Sequence, residues 1–374
     1  MLPVVMVGLV LVEHGPLLLG LVLGVRGATG SLFVLLTGAL LTRVRKSTAL
    51  AFNDAVQAVV MTGFALGPDT AWWLLALAAL SGVSGSVAEP AAGSMMPLIV
   101  PTERLREANA LRNIVGRATG ITGPALAGVL VVALDVRAVF WLIAALFMVC
   151  AGVLSLIREA PPTDEWTTET MGASLRAGWG EVVRRPWVLA IIVVATVQAP
   201  ATLAPGFVLL PIVVADSYPA PVYGPALSCM ASGQLAGGVL ATRWKPARPG
   251  LVSLTGVLFF PLVLLGLALT VPAPVLLAGY LATGVGFMLF GVYWYTALQR
   301  SIPQERLSVV IGIDQVGSFG LEPVGYAVAG TLAQTVGAKP VLYGAAVVGV
   351  ATGLLPLLVT GVNRLADPTP EPER

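Results

Sequence analysis

The sequence predicts an all-α membrane protein built as two six-helix halves with pseudo-twofold symmetry, its first helix truncated. Three observations carry this. Runs of 18 or more nearly uncharged residues recur along all 374 residues, each long enough as a helix to cross a hydrocarbon core of roughly 30 Å. Basic residues crowd into alternate joints between those runs. A stretch of the first half also returns in the second.

Composition sets the solvent. The chain is 57% hydrophobic and 11% charged, with a mean hydropathy of +0.89, far outside the range of soluble domains. Its net charge of +2 is too small to suggest nucleic acid. Glycine (42) and proline (28) are abundant, as is ordinary in membrane helices, where neighbours re-satisfy the backbone. The two cysteines, Cys150 and Cys229, each sit inside an apolar run and read as packed thiols. One histidine, no spaced Cys/His/carboxylate cluster and no Gly-rich phosphate loop leave nothing to hold a metal or ATP or to perform chemistry. No cofactor is expected.

Breaks at charged or Pro/Gly-rich joints give spans 15–41, 48–66, 71–99, 113–134, 137–157, 187–214, 221–242, 250–271, 274–298, 307–334 and 339–361. Ahead of them, "MLPVVMVGLVLV" would reach about 18 Å as a helix, short of a crossing. Without a basic start and a small-residue cleavage site it is no signal peptide. It reads as the outer part of a first span whose beginning is missing.

The joints "TRVRKS" (42–47), "PTERLREANALR" (101–112), 158–186, "RWKPARPG" (243–250) and "RSIPQER" (300–306), with the tail after 361, hold nearly all the Lys and Arg. By the positive-inside rule these joints and the C-terminus are cytoplasmic, in the plasma membrane (the inner membrane of the cell). A cytoplasmic tail after an odd number of full spans requires the partial first one, making twelve. The organisation is then 1–157 as the N-terminal half, 158–186 as a cytoplasmic linker, 187–361 as the C-terminal half and 362–374 as a tail. In the linker "SLRAGWGEVVRRPW" reads as an amphipathic helix on the membrane surface.

The repeat aligns "VPTERLREANALRNIVGRATGITGPALAGVLV" with "IPQERLSVVIGIDQVGSFGLEPVGYAVAGTLA", each a basic loop leading into the fifth span of its half. On these motifs the chain resembles the major facilitator superfamily over essentially its whole length, in particular its bacterial drug- and siderophore-exporting, enterobactin-exporter-like type. "GPALAG" (123–128) is similar to the antiporter motif of the fifth span, which marks Gly123 and Pro124. "GALLTRVRK" (38–46) stands where the family carries its gate motif between spans two and three; Arg43 matches, and Thr42 takes the place of the family's Asp. The resemblance implies the major facilitator fold.

Ionisable groups in the bilayer core each need a reason. Arg26 and Glu322 fall midway along spans that this fold sets face to face, so they form either a bridge made and broken between states or a static pair. Glu89 and Arg117 fall in the cytoplasmic third of spans four and five, as a structural pair or a functional one. Asp54, beside Asn53 and Gln57, lies one to two turns from the cytoplasmic face. Three carboxyls against two guanidiniums leave at least one acid without a full-charge partner, as a proton carrier requires; Glu322, Asp54 and Glu89 are the candidates.

Phe287, Phe290 and Trp294 share one face of span ten, and the resemblance puts that span beside the central cavity. They are candidates to stack on a substrate, although Tyr293 to Tyr295 also suit an interfacial aromatic belt. Gln198, Pro200, Pro205 and Pro211 break the hydrogen bonding of span seven and mark a bending, cavity-lining element, with Gln198 and Pro200 as further pocket candidates. Gly233 and Gly237 suit close helix contact. The expected function is export of a small, largely apolar compound by alternating access, driven by a proton gradient, in a monomer whose partners are the substrate and the bilayer. An importer or uniporter of the same fold, or a receptor that moves nothing, is the alternative.

Overall fold

A computed structural model of the chain describes residues 12–68, 70–157, 159, 170–218 and 222–366. The expected truncated first span lies, but for Val12, outside the described residues, as do the polar part of the linker and the last eight residues of the tail. Among the described residues every regular element is a helix. The first half contributes α1 (Val12–Leu40), α2 (Lys46–Leu66), α3 (Ala71–Gly85), α4 (Ala88–Ile99), α5 (Leu105–Ala133) and α6 (Val136–Ser155), and α7 (Met171–Arg184) follows in the linker. The second half contributes α8 (Pro186–Gln198), α9 (Ala204–Ser217), α10 (Tyr223–Arg243), α11 (Pro249–Val257), α12 (Phe259–Ala268), α13 (Ala273–Ser301), α14 (Gln304–Phe319), α15 (Glu322–Val336) and α16 (Ala338–Leu354).

Eight segments among the described residues are long and apolar enough to cross a membrane. Three more expected spans, carried by α5, α10 and α14–α15, are helical but more polar or richer in glycine. For α10 the reason is what it faces. In α10 a Cβ at Gly233 would collide with the carbonyl of Leu281, and one at Gly284 of α13 with the carbonyl of Met230. Backbones this close require small residues, and in lipid such packing drives helix association. Gly233 and Gly237 are therefore contact residues, as their spacing suggests.

Several spans are interrupted where the sequence removes a backbone donor or a Cβ. Ala199–Leu203 is a π-turn between α8 and α9, with Pro200 inside it and Pro205 just after it, as expected where prolines cannot close i→i−4 bonds. The eleventh span stops at Phe319 and restarts at Glu322–Pro323. Leu258 separates α11 from α12.

The chain divides into two compact units. Unit 1 is Met1–Pro101, Ala118–Trp179 and Ile302–Gln315; unit 2 is Thr102–Arg117, Gly180–Ser301 and Val316–Arg374. They differ from the contiguous halves 1–157 and 187–361 chiefly in two exchanged pieces, the start of α5 and most of α14. In unit 1, α2 packs along α6 and α1 along α3, around a core that includes stacked Phe64 and Phe140, 5.4 Å between ring centroids. In α7, Ser174 is fully buried and reaches Thr42, while Arg184 stays exposed. One side of the linker helix thus docks on protein.

In unit 2, α10 and α11 pack along α13, and α12 along α16. Phe207, Phe260 and Phe287 meet in sequence at tilted angles, 5.6 and 5.5 Å between ring centroids, through its core. After α16 the chain hooks back. Gly361 (φ 88°) and Leu365 (φ 51°) are left-handed, and Val362 and Leu365 are buried. For Leu365 that conformation costs roughly 1–2 kcal/mol, offset by burial of the side chain. Cys150 is exposed and Cys229 half-buried; both are free thiols.

Candidate functional site

The intramembrane charge of unit 1 sits in a hydrogen-bonded string. Arg26 of α1 donates from Nε to Ser81 Oγ of α3 at 3.3 Å. Ser81 Oγ donates to Gln57 Oε1 of α2 at 3.0 Å, and Gln57 Nε2 returns a bond to the Ser81 carbonyl at 2.9 Å. One turn away Thr29 reaches the Ala79 carbonyl, and a Cβ at Gly82 would collide with Thr29 and the Arg26 carbonyl. Three helices thus meet at Ser81. With no water in the hydrocarbon region, each polar group left unmet costs several kcal/mol, so the string lets unit 1 hold a cation there.

Each candidate acid has its own setting. Asp54 of α2 is half-buried and accepts from Asn53 Nδ2 at 3.0 Å, while Asn53 Oδ1 takes a bond from Ser84 Oγ at 2.8 Å. Glu89 lies half-buried in the first turn of α4. Glu322 opens α15 and accepts from Tyr326 Oη, one turn on, at 2.5 Å. The break before Glu322 places its carboxylate at a helix N-terminus, where the macrodipole favours negative charge.

The start of α14 docks through neutral groups, the start of α5 through neutral groups and Arg106. In unit 1, Ser308 Oγ of α14 donates to the Gly38 carbonyl at 2.8 Å, and Gln304 Nε2 to the Ser94 carbonyl at 2.6 Å. Ile311 fills the space a Cβ at Gly93 would take. In unit 2, Asn109 Nδ2 of α5 donates to Gln299 Oε1 at 2.6 Å and to Thr296 Oγ1 at 3.1 Å. Arg106 donates to the carbonyls of Trp244 (2.9 Å) and Thr242 (3.0 Å) and to Glu107 (2.6 Å). Burial pushes the Glu107 carboxyl up, but the bond from Arg106 and the charges of Arg106 and Lys245 outweigh it, so it lies below the usual carboxylate range. Thr42, which stands in place of an acid, donates to the Ala39 carbonyl. Close by, Lys46 is buried within electrostatic reach of Glu159 and Glu305. Arg43 is half-buried just past α1, Arg117 exposed on α5, and Gly123 buried in α5. Helix α5 continues through Pro124, whose side chain lies outside the description.

The aromatic candidates part company. Phe287 is turned into the core against Phe260. Phe290 stacks on Trp294 at 6.2 Å, and Trp294 meets Trp187 edge-on at 5.8 Å. Tyr293 and Trp294 are 5% and 3% exposed, so these two form no interfacial belt. Neighbouring segments cover them, and Tyr293 Oη is bonded to the Trp244 carbonyl. Tyr295 lies under Arg112 at 5.6 Å. Gln198 reaches the Gly349 carbonyl at 3.4 Å, and Pro200 packs where a Cβ at Gly325 would stand.

Sequence reasoning missed Ser81, a lone serine in an apolar run, and Asn109 and Ser308, small polar residues in or beside charged joints. It also missed a second copy of the stretch 38–43. "GALLTR" (38–43) reappears as "GVLATR" (238–243), with Thr at the same place. Gly38 lies against Ser308, and Gly238 against Ile114.

A bacterial homologue of the iron transporter ferroportin, in an outward-facing state, is similar in structure with a TM-score of 0.75. It is 17% identical, and the match covers 95% of this chain and 93% of that one. The E. coli fucose:proton symporter gives a TM-score of 0.71 at 14% identity, covering 95% of each chain. The human organic anion transporter MFSD10 gives 0.68 at 14%, covering 91% of this chain and 84% of that one. At such identities the likeness shows the fold. No curated protein sequence matches the chain. Residues 1–321, however, match the family profile described as Major Facilitator Superfamily. That match, over most of a chain whose described residues form only helices as regular elements, decides the matter: the chain belongs to the major facilitator superfamily.

Proposed function

We propose that this chain is a secondary active transporter that exports a small, largely apolar compound by alternating access in exchange for protons, as a monomer. In this reading the membrane is the cytoplasmic one and the basic joints and C-terminus face the cytoplasm. The observation that carries the reading is the division of two helices between the units. Helix α5 starts in unit 2 and continues in unit 1, and α14 lies mostly in unit 1 while α15 lies in unit 2. The starts are held by a few hydrogen bonds, between neutral groups at α14 and at Asn109, with charge-assisted ones from Arg106 and Arg300 added at α5. A neutral bond of this kind is worth about 0.5–1.5 kcal/mol net and a charge-assisted one about 1.5–3 kcal/mol. Contacts of that size hold one state without trapping it.

Proton coupling is assigned to Glu322, with Asp54 and Glu89 as secondary candidates. Glu322 sits where the eleventh span is broken, so protonation acts on a hinge. Arg26 is its counter-charge across the halves in this reading. Purified protein in proteoliposomes under an imposed pH gradient tests the proposal, with a panel of small apolar fluorophores as substrates. Antiport requires substrate movement opposite to the proton gradient and substrate-dependent proton flux. Movement with the gradient would make the protein a symporting importer, gradient-independent movement a uniporter, and binding without movement a receptor.

A further inference from the structure

Unit 2 contains a cavity of about 490 Å³ among its basic ends. Arg106 from the start of α5, Lys245 after α10, Arg300 at the end of α13 and Arg364 in the terminal hook all line it, beside a single carboxylate, Glu103. The space is partly open, and Glu107 pairs with Arg106. Lys245, Arg300 and Arg364 still gather more positive charge there than Glu103 and Glu107 balance, and an anion would relieve their repulsion.

Two features show that this wall is built. Arg106 is 8% exposed, and although its terminal nitrogens bond to carbonyls and Glu107, its Nε is buried without a hydrogen-bond partner among the described residues. Arg364 is no free tail residue. The left-handed turns at Gly361 and Leu365 fold the chain back, and the Val362 carbonyl occupies the space a Cβ at Gly250 would take. The hook thereby fixes Arg364 in the cavity wall.

We propose that this cavity binds a phosphate-bearing anion, held by Arg106, Lys245, Arg300 and Arg364. Arg364 and the part of Arg300 not bonded to the Thr102 carbonyl can present guanidinium edges to phosphate oxygens, and Lys245 adds a point charge. Arg106, its terminal nitrogens already bonded, adds charge from behind. The volume exceeds that of a bare phosphate and falls in the range of small-molecule sites, so the ligand carries a small polar substituent. Two sources present that chemistry: the headgroup of an anionic phospholipid and a soluble phosphate ester. Because Arg106 bonds the ends of α10 from the start of α5, an anion here also fastens that start to unit 2. The site does not depend on the direction of transport.

The test uses the full chain, purified in an uncharged detergent and titrated with pyrophosphate and glycerol 3-phosphate. In parallel it is placed in phosphatidylcholine nanodiscs with and without phosphatidylglycerol. Calorimetric binding and melting temperature are read. Saturable binding is expected with the soluble probes or with phosphatidylglycerol, and whichever arm responds names the source. Arg364→Gln and Arg300→Gln should each weaken it about tenfold or more, the loss of a charge-assisted bond. Arg184→Gln, on an exposed arginine outside the cavity, should bind as the parent does. No response in either arm overturns the proposal, as does parental affinity in Arg364→Gln and Arg300→Gln, or an equal loss in Arg184→Gln.

Discussion

Ser308 Oγ donates to the carbonyl of Gly38 at 2.8 Å, and a Cβ on Gly38 would stand 2.9 Å from the carbonyl oxygen of Ser308. The two backbones are in contact because one of them has no side chain. Gly38→Val should therefore push the start of α14 off α1, at a cost of about 1–3 kcal/mol. The melting temperature should fall, and Ser308→Cys should react faster with a soluble maleimide in that background. Gly24→Val, where nothing lies within 4 Å, should do neither. Equal reactivity in both backgrounds would show that this contact does not hold α14.

Glu322→Gln keeps an acceptor for Tyr326 and removes the charge. Proton-coupled efflux should be lost or strongly weakened while insertion is kept. If Arg26 is the partner, Arg26→Glu combined with Glu322→Arg should recover more folded protein than either change alone. Normal transport by Glu322→Gln over a full pH range would move the coupling role to Asp54 or Glu89.

Ser81→Ala leaves Gln57 and Arg26 without their shared hydroxyl. A buried polar group so stranded costs about 1–3 kcal/mol, and the melting temperature should fall accordingly. In a Gln57→Leu background the same change should cost less, because the amide that needed Ser81 is gone. Additive losses in the double mutant would show that the two do not act as a string.

Cysteines placed at Arg184 and Ala366, in a background without Cys150 and Cys229, should resist an impermeant reagent on intact cells and react once cells are opened. Labelling from outside would reverse the proposed orientation.

The sequence showed most clearly what depends on local chemistry. Helices follow from apolar length. The interruptions at Pro200 and Pro323 follow from missing backbone donors, and the contact of α10 with α13 from the spacing of Gly233 and Gly237. What depends on a distant partner stayed hidden. Ser81 is one serine in an apolar run, and its role comes from Gln57, 24 residues earlier. Tyr293 and Trp294 stand near Arg300 and so resemble an interfacial belt; only the segments packed over them bury them. The exchange of the starts of α5 and α14 between the units leaves no mark on hydropathy at all. It was prefigured only by the repeat that makes the two loops alike.

The π-turn at Ala199–Leu203 has a practical consequence for anyone mapping the seventh span. A π-turn holds one residue more than an α-turn, and one residue is about 100° of azimuth. A helical wheel carried without correction from Pro186 to Ser217 therefore slips out of phase beyond Leu203. Positions that a constant period assigns to one stripe lie on two different sides. A cysteine scan of this span needs two wheels, one for Pro186–Gln198 and another, reset, for Ala204–Ser217.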